Sequence, residues 1–550
     1  MVVLIAGLFQ LIYGCSKNEE VVKEPETEEE TFPVKWKVTE IEFTSSNSYS
    51  NSFNDLDLDV VFRHSGGTEI KVPAFWSSGK KWMVRFAPTL TGKWTYKTVC
   101  TDEGNSGLHN QTGEIDVEAY NGDLEIYTRG FVKTEASKRY FSYNDGSPFF
   151  YLGDTHWNMP VNTLENFKTI VDKRVEQGFT VIQSEPIGAG YNLQDGVTEG
   201  DLHFFSKLDE RFKYIAAKGL VHANAQLFFV AELGSNRNIY TDEYLEKLCR
   251  YWVARYSAFP VMWTTAQECD NDFYRERGDH DFFDASTNPW KLVAGYINKY
   301  DPYKHPLSAH MEHTSFTIAS QSAFRDLPGH TWFAPQWSPI RNGLLNFDIP
   351  KDFWLNGQEK PVVNYEGFYD HLWTNEFGAR MQGWTAFLNG MFGHGYGAID
   401  IWLYNSTYDM DKPSILHGIT VTVADKQTKW TESLEFKSAY QMGYMREFFN
   451  AIDWWKLTPR FDDADWYRND GAWYSLATIN SDVYVVYFYN NINKKTGTLK
   501  NMENTAYSVQ WFNPVTGESE ADSEITIKDG TYTIGDKPSI RDWVLLVRKK

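Results

Sequence analysis

Between about Phe149 and Trp402 the chain alternates short apolar runs with amphipathic stretches, and no other feature restricts its fold as strongly. The runs are Phe149–Gly153, Thr180–Ser184, Val221–Phe229, Val261–Thr265, Pro306–Ala309, Pro361–Asn364 and Gly397–Trp402, with a weaker one at Trp332–Trp337. Helical periodicity fills the gaps, as in Leu164–Gln177, Phe204–Lys218 and Asp242–Tyr256. A strand that is apolar throughout must be covered on both faces, which in an alternating strand–helix chain means a parallel sheet under helices. Eight such runs predict an α/β fold, a (β/α)8 TIM barrel.

The flanks follow a different rule. Leu56–Arg63, Lys81–Ala87, Gly92–Val99 and Gly113–Glu118 alternate apolar and polar residues between Gly, Asn, Ser and Pro. That is the pattern of half-buried antiparallel strands, and it predicts a β-sandwich over residues 33–130 with Trp82 and Trp94 in its core. The barrel then occupies 131–450. Strand patterning returns in Ala472–Ala477, Asp482–Tyr489, Tyr507–Phe512 and Trp543–Val547, which predicts a second β-sandwich over 451–550.

Residues 1–15 form an apolar run that ends in Gly14-Cys15, too short to span a bilayer. They read as a signal peptide whose Leu11-Ile12-Tyr13-Gly14-Cys15 ending is like a lipobox, with Cys15 lipidated after cleavage. The alternative is an ordinary secretory signal with an incidental cysteine. The glutamate-rich stretch 16–32 reads as a solvated acidic tether. The expected location is the cell envelope, lipid-anchored at the outer-membrane surface or in the periplasm of a Gram-negative bacterium. Cys100, Cys249 and Cys269 have no CxxC or metal-like spacing, so no disulfide framework, metal or cofactor is expected.

A net charge of -20 argues against nucleic acid and against a basic membrane patch, leaving the lipid anchor as the membrane contact. Aromatic residues make up 16% of the chain, with 21 Trp and 32 Tyr. Their flat apolar faces suit the C–H faces of sugar rings, although core filling explains many of them equally well.

In a TIM barrel the chemistry sits at the C-terminal ends of the strands. Reading those ends gives Asp154, His156, Trp157, Gln183, Glu185, Gln226, Gln267, Glu268, His310, Trp337, Glu366, His394, Tyr396 and Trp402. Cleavage of a glycosidic bond needs two carboxyl groups, one to protonate the leaving oxygen and one to attack or to activate water. Glu268 and Glu366 end the fourth and seventh runs, three βα units apart and facing across the mouth. Glu268 is assigned as acid/base and Glu366 as nucleophile or base. Two facing glutamates reach far into the mouth, which favours a retaining mechanism. The other residues are read as contacts to substrate hydroxyls and rings, with Asp154 and Glu185 as carboxylates that bind substrate or orient the pair. His156, His310 and His394 come from distant strands without HxH or HExxH spacing, so hydroxyl contacts are favoured over a metal.

The barrel resembles the apiosidase-like (DUF4038-type) family of glycoside hydrolases through Pro148–Trp157, Arg174–Gln183, Val261–Glu268, Lys360–Glu366 and Gly393–Gly397. The N-terminal sandwich resembles the DUF5060-type module that often precedes this barrel, through Trp82–Pro88 and Thr91–Tyr96. The C-terminal module resembles the collagen-binding-type domain through Trp511–Gly517. The resemblance implies hydrolysis of a glycosidic bond in a polysaccharide or oligosaccharide. The family commonly carries an Asp after a Gly where this chain has Gln267-Glu268, so apiose specificity is not carried over. The competing readings are a non-catalytic cell-surface glycan-binding lipoprotein and an adhesin that binds collagen or another protein. The first would be expected to lose one of the two carboxylates, and this chain keeps both.

Overall fold

The computed structural model describes residues 32–550 other than 158, 162, 187–192, 194–195, 226–239, 267, 270–287, 312–323, 342–343, 372–373, 403–413, 417–418, 422–428 and 490–491. It is a mixed α/β structure with a parallel sheet at its centre and antiparallel sheets on either side. The six strands of the parallel sheet run in the order Leu307–Ser308, Val261–Thr264, Val221–Asn224, Val181–Ser184, Tyr151–Thr155 and Gly393–Tyr396. Every residue of these strands is buried, as their near-continuous apolar character requires. Beyond this sheet, His310–Met311 pairs in parallel with Ala334–Pro335. Single parallel bridges join Phe333 to Val362, Gln336 to Glu366 and Asn364 to His394. The segment 362–366 therefore lies between the Ala334–Pro335 and Gly393–Tyr396 strands.

The helices that cover the sheet are α1 (Leu164–Glu176), α2 (Glu199–Ala217), α3 (Asp242–Tyr256), α4 (Trp290–Tyr300), α5 (Asp348–Asn356), α6 (Glu376–Leu388) and α7 (Lys437–Asn450). Thr163 and Thr241 cap α1 and α3 through their side chains, and a capping box of Thr198 and Asp201 opens α2.

The last apolar run folds differently from its expectation. Gly397–Trp402 was expected as a strand, whereas the strand is Gly393–Tyr396 and Ile399–Trp402 is a short helix. A short apolar run does not by itself distinguish helix from strand. The strand Gly-His-Gly-Tyr is a weak β-former by composition and is selected by fit. A Cβ on Gly395 would collide with the Tyr365 carbonyl and with Gln183 Oε1, so only glycine lets this strand approach its neighbours.

Side-chain direction alternates along these strands. Tyr151 packs among Phe141, Trp332 and Tyr365 inside the sheet, while Leu152 joins the cluster beneath α6 and α7. The same phase turns Gly393, Gly395 and Gly397 inward and His394 and Tyr396 outward.

Both flanking modules are fused to the central sheet by buried ion pairs. The N-terminal module is a four-stranded sheet (Glu69–Pro73, Leu58–His64, Gly92–Cys100, Thr112–Val117) facing a three-stranded one (Thr39–Thr44, Lys81–Phe86, Phe75–Ser78). Trp82 and Trp94 are in its core. Arg85 of this module and Arg255 of α3 both grip Asp209 of α2, at 2.7 and 2.8 Å, and Arg250 of α3 reaches Asp59 at 2.6 Å. The C-terminal module is built on the strands Tyr474–Ile479, Val483–Phe488, Trp543–Lys549 and Ala506–Asn513. Arg380 of α6 makes two 2.8 Å hydrogen bonds to Asp542, and Trp384 stacks on Tyr487 at 5.7 Å.

Candidate active site

At the C-terminal ends of the parallel strands one carboxylate is held from three sides. Glu366 ends the 362–366 segment and is 2% exposed. Its Oε1 accepts hydrogen bonds from the Tyr369 hydroxyl and, at 3.4 Å, from Trp157 Nε1. Trp157 also donates to the Tyr369 oxygen at 2.7 Å, so the three groups form a closed triangle. On the other side His310 Nε2 stands 3.3 Å from Glu366 Oε2. The rings of Trp157 and His310 stack at 5.7 Å, and Tyr365 leans against both. Burial raises the Glu366 carboxyl to about 7 against the lowering effect of the Tyr369 and Trp157 donors.

His310 reaches the second glutamate as well. The turn after the Val261–Thr264 strand is pinned where Cys269 N donates to the His310 carbonyl at 2.7 Å and where Thr265 Oγ1 meets Cys269 Sγ at 2.8 Å. Glu268 occupies this turn with φ of 54°, a left-handed conformation that a non-glycine residue adopts only when its surroundings impose it. Its backbone N–H donates to His310 Nδ1 at 3.4 Å. Burial pushes the imidazole down to about 3, so the ring is neutral at ordinary pH. With Nδ1 accepting from Glu268, its one proton stands on Nε2, which lies 3.3 Å from Glu366 Oε2 without a hydrogen bond to it.

Glu185 follows the Val181–Ser184 strand and is 4% exposed. Its backbone N–H donates to the Trp157 carbonyl at 3.2 Å. Burial first, and the charge of Glu366 second, raise its carboxyl to about 8. Its Oε1 and Glu366 Oε2 have no hydrogen-bond partner among the described residues. The site thus holds two carboxyl groups in a poorly solvated space, an arrangement that keeps one proton between them near neutrality.

Trp157, Glu185, His310 and Glu366 therefore gather at one place, with the Glu268 backbone against His310. Gln183 lies deeper and is occupied by structure, its Nε2 donating to the Tyr365 carbonyl at 2.7 Å. Five residues expected at the mouth face the helices instead. Asp154 is fully buried 3.1 Å from Arg174 of α1. His156 stacks on Phe167 of α1 at 5.7 Å. Tyr396 bonds to Ser438 of α7 at 2.9 Å and lies under the Arg174 guanidinium. His394 packs on α6 beside Gly383 and meets Asn364 at 3.3 Å, and Trp337 packs against Phe353 of α5. The physical reason is strand alternation: a residue at a strand end points inward or outward according to its phase, and these five have the outward phase. Cys15, Gln226, Gln267 and the Trp402 side chain lie outside the described residues.

Sequence reasoning missed Tyr369, which holds Glu366 most directly. The available signal was an aromatic hydroxyl three residues after the glutamate, in Glu366-Gly-Phe-Tyr369.

Three family models match, in the order of the modules. Residues 33–101 match the domain of unknown function DUF5060, and 466–548 match the "Putative collagen-binding domain of a collagenase". Among solved structures, a "putative glycoside hydrolase" from Bacteroides vulgatus superposes with a TM-score of 0.67 at 17% identity, covering 94% of this chain and 99% of that one. A glycoside hydrolase family 5 structure from the same organism gives 0.61 at 18% identity, covering 78% of this chain and 95% of that one. At these identities the likeness is one of fold. No curated protein matches. The third family model, "Apiosidase-like, catalytic domain", matches residues 135–456, more than half of the sequence, and the chain belongs to that family.

Proposed function

We propose that this protein is a glycoside hydrolase whose central domain is a closed eight-stranded (β/α)8 barrel. The parallel bridges through 362–366 support closure, because they continue the strand order from Ala334–Pro335 round to Gly393–Tyr396. Glu366 is the nucleophile and Glu268 the general acid/base. The observation that carries this reading is the setting of Glu366, a desolvated carboxylate oriented by the Tyr369 and Trp157 donors, with His310 packed beside it, at the ends of parallel strands. Protein donors aimed at a carboxylate leave one oxygen free to attack and fix its direction. Glu185, with its carboxyl raised to about 8, loses its proton after Glu366 does and so spares the site a second charge near neutrality. A glycan-binding protein without chemistry has no use for a carboxylate buried at such cost. A panel of plant and algal polysaccharides, scored for released reducing sugar, tests the proposal. Release from at least one supports it, and release from none counts against it.

The hydrolysis is retaining. Glutamates at the ends of the fourth and seventh strands of a barrel would bring their carboxyls toward the ~5–5.5 Å separation of double displacement, instead of the ~6.5–9.5 Å that leaves room for an attacking water. Proton NMR of the first-formed product checks this: the original anomer is expected before mutarotation, and the opposite anomer would establish inversion. Trp157 and Glu185 meet the substrate. Cys15 carries the lipid that tethers the enzyme to the cell envelope.

A further inference from the structure

The C-terminal module is sealed against the central domain by Arg380–Asp542 and Trp384–Tyr487, yet the seam opens at one end into a cleft of about 380 Å³. One wall comes from Asn346, Asp348 and Lys351, at the start of α5, and the other from Asp462, Asn469 and Trp473 of the C-terminal module. Since α5 follows the Ala334–Pro335 strand, its start lies on the same side as the strand ends that bear Glu366.

Trp473 is 43% exposed, and it is the one tryptophan among the exposed large apolar residues described. Its backbone is fixed. Tyr489 N donates to its carbonyl at 3.1 Å, and Asn469 Oδ1 accepts from Gly471 and Ala472 at 3.0 and 2.7 Å. An indole kept partly in water on a rigid backbone is a surface for stacking. Lys351 is matched by Asp462 at 3.3 Å, so the described lining of the cleft offers an anion no unpaired cation. With a net charge of -20 around it, the ligand that fits is neutral and rich in hydroxyls.

The cleft wall is tied to the backbone of the segment that ends in Glu366. Trp337 Nε1 donates to the Asn346 carbonyl on the cleft wall at 3.1 Å, and Trp337 N donates to the Glu366 carbonyl at 3.2 Å. We infer that this cleft is a second saccharide site, separate from the one at Glu366, in which a neutral polysaccharide chain stacks on Trp473. The inference rests on the glycosidase reading and adds a substrate class to it, an extended neutral glycan.

The test compares full-length Glu366→Gln with Glu366→Gln/Trp473→Ala by affinity electrophoresis in galactomannan, xyloglucan and polygalacturonate. Retardation in a neutral gel is expected to weaken by about fivefold or more on loss of the indole. The Glu366→Gln/Trp473→Phe protein, which keeps a ring, is expected to regain most of it. Equal retardation with and without Trp473, retardation in no gel, or Trp473-dependent retardation confined to polygalacturonate would overturn the inference. The two readings fail separately. Trp473-dependent retention without hydrolysis by the unaltered chain keeps the cleft and removes the enzyme; hydrolysis with Trp473-independent retention does the reverse.

Discussion

His310 Nε2 stands 3.3 Å from Glu366 Oε2, while the same ring's Nδ1 takes the backbone N–H of Glu268 at 3.4 Å. One neutral imidazole therefore holds the turn that carries one glutamate and stands in contact with the carboxylate of the other. The backbone at Glu268, with φ of 54°, is part of this arrangement, since it turns the chain so that the next N–H, of Cys269, donates to the His310 carbonyl at 2.7 Å.

The Tyr369 hydroxyl is the donor that most directly lowers the Glu366 carboxyl. Tyr369→Phe removes it, leaving Glu366 with the weaker Trp157 contact and the same burial. The carboxyl then rises further above about 7, so the acidic limb of the kcat/KM profile moves to higher pH. We expect kcat to fall by about 10- to 100-fold at pH 7, in line with loss of a hydrogen bond to a charged group. A pH–rate profile of both proteins checks this, and an unmoved acidic limb would show that Tyr369 does not act on Glu366.

Glu185 should make the fold less stable as the medium becomes more alkaline. Its folded carboxyl is raised to about 8 from an ordinary value of 4.5. Between those values the unfolded chain has released the proton and the folded chain has kept it, so stability falls as pH rises through the window. Glu185→Gln removes the titration. Its melting temperature relative to the unaltered protein is expected to rise from pH 5 to pH 8.5, by a few degrees for a difference on the order of a few kcal/mol. A constant difference across that range in calorimetry would mean that Glu185 titrates normally.

Cys15 is proposed to be acylated, which makes a prediction about where the protein partitions. Expressed with its leader in a Gram-negative host, the full chain should sediment with membranes, and Cys15→Ser should shift it to the soluble fraction. Equal fractionation of the two would favour an ordinary secretory signal.

The parts of this structure that sequence shows are those in which one physical signal dominates. Helix α3 spans Asp242–Tyr256, the range its 3.6-residue periodicity predicts, and the Leu58–His64 and Lys81–Phe86 strands follow period-two alternation. The Gly393–Tyr396 strand was hidden because its residues were selected by the space beside Gln183 and Tyr365, which no local pattern encodes. The site divides in the same way. Position at a strand end identified Trp157, Glu185, His310 and Glu366. It could not separate them from Asp154, His156, Trp337, His394 and Tyr396, since the phase of alternation decides which residues point inward and which point to the helices. The gap between Glu185 and an ordinary surface glutamate is one of burial, and burial is a property of the folded chain.

The central claim is that Glu268 and Glu366 together cleave the glycosidic bond, and replacing each by glutamine tests it most directly. Glutamine keeps the length and shape of the side chain but neither attacks nor donates a proton at ordinary pH. On the polysaccharide that the unaltered enzyme degrades, both Glu268→Gln and Glu366→Gln are expected to lose at least about 10³-fold in kcat, with far-ultraviolet circular dichroism unchanged. Near-normal turnover by either folded variant would contradict the assignment.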